Sequence, residues 1–272
     1  MNVETPSSFQ TTVDKTLKEI KPLGWTQSLL YFGLPALALV GAYYGFRPWL
    51  QDQGYTELVS FLVALCLPLA LMFAVALGFY KSVEGQPMTR AAFSARMRYP
   101  RLRGSDVLVG IGIAVLGILA SGLLSLVIAW LVRSGWLLLP AGLPILDNPM
   151  SEMSLANFNQ AAGGQILGQW SLMGLYLVTF FFNIAGEELW WRGIILPRQE
   201  LVFGRFTWLA HGLMWAFFHV FKYWNILTLV PICLLIAYVS QKRQNNWAGL
   251  IAHAVMNGMG VVLLLAAVAG WI

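Results

Sequence analysis

The residues of this chain whose types and spacing could do chemistry begin with Glu187, Glu188 and Arg192. They come at the end of a strongly apolar run, Leu172–Phe182, in a chain that otherwise keeps charge out of such runs. Moving an ionised carboxylate into hydrocarbon costs about 2.5–3.5 kcal/mol on insertion scales. The acidic pair is therefore a functional-site hypothesis.

The two glutamates differ in their helical neighbours. Glu188 and Arg192 are four residues apart, so on a helix they share a face and can form an ion pair. Glu187 is rotated by about 100° from Glu188 and has no such partner. We predict that Glu187 faces a cavity and serves as a general base. The alternative is an ion pair that only caps the end of a membrane span.

Three histidines lie further along the chain. His253 and Asn257 are four apart and share a helical face, and two such donors can stabilise an oxyanion. His219 lies among bulky apolar residues and could join the same site. Each of them could instead be a structural polar group between helices. His211 has no polar company in the sequence, so we interpret it as interfacial or structural.

The elements that must position these residues are membrane helices. The chain is 58% hydrophobic and 11% charged, whereas soluble domains carry about 25% charged residues. We predict an all-α, polytopic transmembrane helix bundle of about seven to eight spans, with a polar cavity formed by the C-terminal helices. The predicted spans are Trp25–Phe46, Leu58–Tyr80, Val107–Val132, Leu172–Leu196, Thr207–Phe221, Ile226–Ser240 and Trp247–Ile272, with a possible partial helix at Trp136–Leu146. The predicted division is a cytoplasmic segment (1–24), helices without a catalytic motif (25–170) and a catalytic core (171–272).

The basic residues predict the orientation. They collect on one side of a seven-span bundle, above all in Lys81–Asp106, whereas Arg47, Arg133 and Lys222 fall on the other side. The positive-inside rule then puts the N-terminus in the cytoplasm. From the predicted inner boundaries, helical rise puts the candidate site residues about 9–18 Å deep, within reach of one cavity. Because basic and aromatic residues flank apolar spans, nucleic acid is not expected as a partner.

The motifs resemble those of a known family. They are Glu187-Glu188-x-x-x-Arg192, the aromatic-x-x-x-His of Trp215 to His219, and His253-x-x-x-Asn257, in this order on successive predicted helices. They are similar to the CAAX protease and bacteriocin-processing family of intramembrane endopeptidases, which includes the Ras-converting endopeptidase. The likeness covers about Leu172 to the C-terminus. This chain departs from it at Trp215, where the family usually has Phe.

The resemblance implies a role for each motif. Glu187 and His219 would hold and deprotonate the attacking water, and His253 and Asn257 would stabilise the oxyanion of the tetrahedral intermediate. Glu188 and Arg192 would order the site. The substrate would be a membrane-anchored peptide or protein, with the cavity entered from the cytoplasmic side. A bacterial inner membrane is the expected location.

Three alternatives stay open on the sequence alone. Glu187, His219 and His253 could form a zinc site of two histidines and one carboxylate, so the cofactor is either none or zinc. The same residues could instead form the proton relay of an ion-coupled transporter. The chain could also be a scaffold or immunity protein that binds without cutting. Cys66 and Cys233 lie far apart in apolar runs and predict neither a disulfide nor a role in the site.

Overall fold

The computed structural model describes residues 17–272, and within this range the regular structure is all helical, with no strand. The all-α prediction is therefore confirmed. The α-helices are α1 (Trp25–Gly41), α2 (Arg47–Asp52), α3 (Glu57–Gly78), α4 (Arg90–Arg96), α5 (Gly104–Arg133), α6 (Leu155–Ala161), α7 (Trp170–Glu187), α8 (Leu196–Phe203), α9 (Thr207–Phe218), α10 (Ile226–Arg243) and α11 (Trp247–Ala269). The N-terminal segment predicted for 1–24 falls mostly outside the described residues; of its described part, Leu23 is fully buried.

Five helical stretches of the described chain are long and apolar enough to cross a membrane. Four of them contain α1, α3, α5 and α11, and the fifth runs without an extended break from Trp170 to Arg243. That fifth stretch contains the three predicted spans that begin at residues 172, 207 and 226. Helices α9 and α10 begin where the fifth and sixth spans were predicted. The count of seven to eight crossings stays a prediction.

The suggested partial helix at Trp136–Leu146 is wrong. Residues 134–154 form turns and irregular chain that lie against one end of the bundle. Pro140 and Pro144 flank Gly142, which has a φ of +68°, and this combination interrupts helical hydrogen bonding. The backbone N–H of Ile145 donates to the Glu57 carboxylate at 2.8 Å, which ties the loop to the start of α3.

The bundle has two ends, which we name by what they contain. The proximal end holds the starts of α1, α9 and α11; there Leu23 N–H donates to the Arg198 carbonyl at 3.0 Å. The distal end holds the starts of α3 and α7 and the turn between α9 and α10; there the Tyr44 hydroxyl donates to the Phe221 carbonyl at 2.9 Å. Under the predicted orientation the proximal end is cytoplasmic.

Small residues let the helices approach closely. Helix α7 packs on α3 and α11, α5 packs on α10 and α11, and α9 packs on α10. A Cβ added to Gly186 in α7 would stand 2.7 Å from the Leu69 carbonyl oxygen of α3, and one added to Gly212 would stand 2.9 Å from the Leu234 Cα. Glycines at helix contacts are typical of membrane bundles. Large apolar side chains such as Leu108 (73% exposed) point outward from the same helices, where lipid would cover them.

Two irregular helical segments flank the candidate site. After α7 the chain continues as a π-helix over Glu188–Ile195, and after α9 it tightens to a 3₁₀ segment over His219–Asn225. Lys222 has non-helical angles (φ −121°, ψ 54°) and marks the turn into α10. π-bulges and short 3₁₀ pieces redirect side chains that a regular helix would point elsewhere. Glu187, Glu188, Arg192 and His219 lie in or beside these two segments.

Candidate active site

Glu187 is the last residue of α7 and is 1% exposed. The Asn183 side-chain amide, one turn earlier, donates to Glu187 Oε1 at 2.7 Å. The Trp215 indole N–H of α9 donates to Glu187 Oε2 at 2.6 Å. Both donors are neutral, and among the described residues Glu187 makes no ion pair. The carboxylate is thus held in place by hydrogen bonds but not neutralised by a cation.

Glu188, the next residue, has the opposite surroundings and is fully buried. The Arg192 guanidinium donates to both of its carboxylate oxygens, to Oε2 at 2.9 Å. His253 Nδ1 lies 2.8 Å from Glu188 Oε1. The Arg192 guanidinium also lies 3.8 Å from the centre of the Trp215 ring, in cation–π contact. Glu188 therefore joins the π-helix to α11, while Trp215 contacts both Arg192 and Glu187.

His219 lies where α9 ends. Because the helix tightens at this point, the His219 backbone N–H donates to the carbonyls of Ala216 and Phe217, and the Trp215 carbonyl is free for another donor. His219 Nδ1 lies 3.0 Å from that carbonyl oxygen. A carbonyl only accepts, so Nδ1 carries the proton and Nε2 is left as an acceptor. This tautomer suits a group that accepts a hydrogen bond from water.

His253 and Asn257 are linked to each other and to α7. Asn257 Nδ2 lies 3.1 Å from His253 Nε2 and donates to Asn183 Oδ1 at 2.5 Å. Both hydrogens of the Asn257 amide are therefore used inside the protein. The oxygen of a tetrahedral intermediate would have to take over one of them.

One cavity of about 310 Å³ brings most of the candidate residues together. Its lining includes Glu187, His219, Asn257 and Asn183, together with apolar side chains of α1, α3 and α10. His253 does not line it and lies behind Asn257. The convergence expected from the motif spacing thus holds for three of the four candidates, and their catalytic roles stay a prediction.

The cavity extends from Glu187 toward the distal end. Along α7 it is lined by residues N-terminal to Glu187, such as Tyr176, and beyond His219 it reaches Lys222 and Asn225. On the proximal side, the wholly buried Glu188 and Arg192 close it. Entry from the cytoplasmic, proximal end was expected, whereas the residues that line the cavity extend toward the distal end. The reason is that the ion pair and the tryptophans of the π-helix fill the proximal side.

The loop of residues 134–154 lies against the distal part of this cavity. Lys222 is paired with Asp147 at 2.6 Å, and the Tyr43 hydroxyl donates to the same carboxylate at 2.9 Å. The Trp224 indole N–H donates to the Asp147 backbone carbonyl at 3.3 Å. A single residue of the loop thus joins the segment just after α1 to the turn between α9 and α10.

The π-helix that carries Glu188 and Arg192 is held from outside. A wider helical turn leaves backbone carbonyls that need other donors. Arg96 donates to the Gly193 carbonyl at 2.7 Å, and the Asn246 side-chain amide donates to the Arg192 carbonyl at 3.2 Å. Arg96 is itself paired with Glu84 at 2.5 Å. Helix α4 and the start of α11 therefore fix the irregular turn behind the site.

The residues suggested for zinc do not fit a metal site. No group of three His, Cys, Asp or Glu side chains in residues 17–272 is arranged to hold a metal ion. Of the suggested ligands Glu187, His219 and His253, the last has Nδ1 against Glu188 and Nε2 against Asn257. A ligating histidine needs one ring nitrogen free for the metal. No step of the chemistry below is therefore assigned to a metal.

The comparison with protein families concerns the segment that carries the candidate catalytic residues Glu187, His219, His253 and Asn257. Residues 169–259 match the Rce1-like family. The matching model is described as type II CAAX prenyl endopeptidase Rce1-like, which confirms the resemblance over a segment that includes Glu187 and Asn257. Comparisons with curated proteins and with solved structures found no match. With its apolar helices of spanning length, the chain is an integral membrane protein whose Rce1-like segment is similar to membrane proteases.

Sequence reasoning missed two donors of the site. Asn183 ends the apolar run one turn before Glu187, and this polar residue at helical spacing was the available signal. Trp215 was interpreted only as an aromatic wall, although an indole N–H seeks an acceptor when buried. His211 is fully buried, with Nδ1 2.7 Å from Gln199 Oε1, which agrees with the structural interpretation.

Proposed function

We propose that this protein is an intramembrane endopeptidase that hydrolyses a peptide bond of a membrane-associated protein or peptide. The observation that carries the proposal is the contrast between the two glutamates. Glu188 is neutralised by Arg192, whereas Glu187 has only neutral donors and faces a cavity shared with His219. An ionised carboxylate in such a place can accept a proton, and the match to a protease family supports peptide hydrolysis as the reaction.

The first step is attack by water. A water molecule in the cavity donates one hydrogen bond to Glu187 and one to His219 Nε2, the ring nitrogen left as an acceptor. Glu187 takes a proton from it as the oxygen bonds to the carbonyl carbon of the substrate. Glu187 later returns that proton to the leaving amine, so that it acts first as base and then as acid.

The second step is stabilisation of the oxyanion. One Asn257 amide hydrogen turns from its partner inside the protein to the substrate oxygen. His253 shares this step through Asn257: its Nε2 lies 3.1 Å from Asn257 Nδ2, and the contact of its Nδ1 with Glu188 fixes the orientation of the ring. Glu188 and Arg192 therefore act on the reaction through His253 and do not touch the substrate.

The proposed chemistry needs no metal. Its proton acceptors and donors are Glu187, His219, His253 and Asn257, and the negative charge that forms is met by hydrogen-bond donors. We propose a membrane-anchored peptide or protein as substrate, cut near an end that can enter the cavity, as in CAAX-type or leader processing. A cytoplasmic N-terminus and a bacterial inner membrane remain part of the proposal.

The test compares peptide ends in membranes. Cells expressing wild type, Glu187→Gln, His219→Ala or His253→Ala are fractionated, and the termini of membrane peptides are determined by mass spectrometry. We expect cleavages present with wild type and absent with all three variants, while the proteins insert equally. Glu152→Gln, which changes an exposed glutamate of the distal loop, is the matched control and should cut like wild type. Retention of every wild-type cleavage by Glu187→Gln would overturn the proposal.

A further inference from the structure

Asn183 links the two halves of the proposed site. It lies on α7 one turn before Glu187, and its side chain reaches two groups with different roles. Its Nδ2 donates to Glu187 Oε1 at 2.7 Å, and its Oδ1 accepts from Asn257 Nδ2 at 2.5 Å. No other described side chain hydrogen-bonds both the proposed base and the proposed oxyanion donor.

The charge on Glu187 fixes which way these hydrogen bonds point. An ionised carboxylate only accepts, so Asn183 must turn its NH₂ group to Glu187. Its carbonyl oxygen then faces α11, and Asn257 must present its own NH₂ group there. With either amide reversed, two oxygens would face each other at hydrogen-bond distance.

The donor and acceptor of each further hydrogen bond are fixed in the same way as far as Glu188. The other Asn257 hydrogen points at His253 Nε2, which must then be unprotonated. His253 therefore carries its proton on Nδ1, where Glu188 accepts it at 2.8 Å. A single chain of hydrogen bonds runs from Glu187 to Glu188 through three side chains, and Asn183 is its link to the base.

We infer that Asn183 is a positioning residue that aligns Glu187 with Asn257 and sets the direction of the hydrogen bonds between them. The inference rests on the proposed function. Asn183 keeps the Glu187 oxygen aimed into the cavity and holds the Asn257 NH₂ group on the cavity side of His253. Without it, the base and the oxyanion donor can each turn away from the geometry that the reaction needs.

Two isosteric changes separate this role from packing. Asn183→Asp keeps the shape but has no NH₂ to donate, and Asn183→Leu keeps the approximate volume and removes both hydrogen bonds. Loss of a hydrogen bond to a charged group corresponds to about a 10- to 150-fold lower rate. We expect that loss in kcat for both variants, with KM within about twofold. Asn157→Ala, which changes a partly buried asparagine of α6 outside the cavity lining, is the control and should keep the wild-type kcat.

The assay uses a quenched fluorescent peptide that contains a cleavage sequence produced by wild type and not by Glu187→Gln. Melting temperatures in detergent are measured for every variant. A packing role predicts that Asn183→Leu keeps the wild-type kcat, since its volume is nearly unchanged and it adds no charge beside Glu187, and that result would overturn the inference. If Glu187→Gln itself cleaves the membrane peptides, the proposed function fails instead, so the two failures are distinguishable.

Discussion

Replacing Trp215 by phenylalanine tests whether the proposed base depends on its indole donor. The Trp215 N–H donates to Glu187 Oε2 at 2.6 Å, and phenylalanine keeps an aromatic ring beside Arg192 without that donor. A buried hydrogen bond to a charged group contributes about 1.5–3 kcal/mol. We therefore expect Trp215→Phe to lower kcat about 10- to 150-fold.

The loss of volume needs its own control. A tryptophan replaced by phenylalanine leaves unfilled space, which lowers stability whatever happens to the hydrogen bond. Trp191 is also fully buried, stacks on Phe32 at 4.2 Å, and has no hydrogen-bond partner for its indole N–H within residues 17–272. Trp191→Phe should lower the melting temperature while changing kcat by at most a few-fold.

The two variants are compared with wild type by their kcat, KM and melting temperature in detergent, using the quenched peptide described above. The expected pattern is a large kcat loss for Trp215→Phe alone. Equal kcat losses in both variants would mean that packing and not the hydrogen bond is responsible. An unchanged kcat in Trp215→Phe would refute the reasoning altogether, since the donor would then contribute nothing to the function of Glu187.

Three further predictions concern packing, charge and metal. Gly186→Ala should destabilise the protein by about 1–3 kcal/mol, because the added Cβ would clash with a backbone carbonyl of α3. Gly174→Ala is the control, since a Cβ added to Gly174 has nothing within 4 Å, and thermal unfolding in detergent compares the two variants. Glu188→Gln should cost about 3–5 kcal/mol of stability, since it leaves Arg192 buried without its carboxylate and weakens the contact with His253; equal unfolding temperatures would contradict this. Dialysis of the purified enzyme against a strong chelator should leave the cleavage rate unchanged, and a loss restored by added zinc would contradict the proposed chemistry.

The sequence predicted the helices well because composition and length decide them. Long apolar stretches have to become helices in a membrane, where every backbone polar group needs an internal partner. The short spans that begin at Thr207 and Ile226 were predicted correctly at their starts, and the structure has them as α9 and α10. The error at Trp136–Leu146 came from giving apolar content more weight than the prolines and glycine within it.

The site was predictable in its members but not in its geometry. Regular helical spacing put Glu187 and Glu188 on different faces, and their surroundings do differ. It could not predict the π-helix after Glu187 or the tightening of α9 at His219, because both depend on packing between helices. These two irregular turns decide which ring nitrogen of His219 is left as an acceptor and on which side of the buried ion pair the cavity lies.

The tight turn at His219 and the wide turn at Glu188 have a common consequence for the proposed reaction. Each releases backbone carbonyls that a regular α-helix would use internally. At His219 the released carbonyl belongs to Trp215 and sets the tautomer of the imidazole; at the π-helix the released carbonyls are bound by Arg96 and Asn246. The 3₁₀ turn thus leaves His219 Nε2 as a hydrogen-bond acceptor. The π-helix holds the ion pair of Glu188 and Arg192, which separates the cavity from the proximal end. The two adjacent carboxylates can therefore have different roles although they are neighbours in sequence.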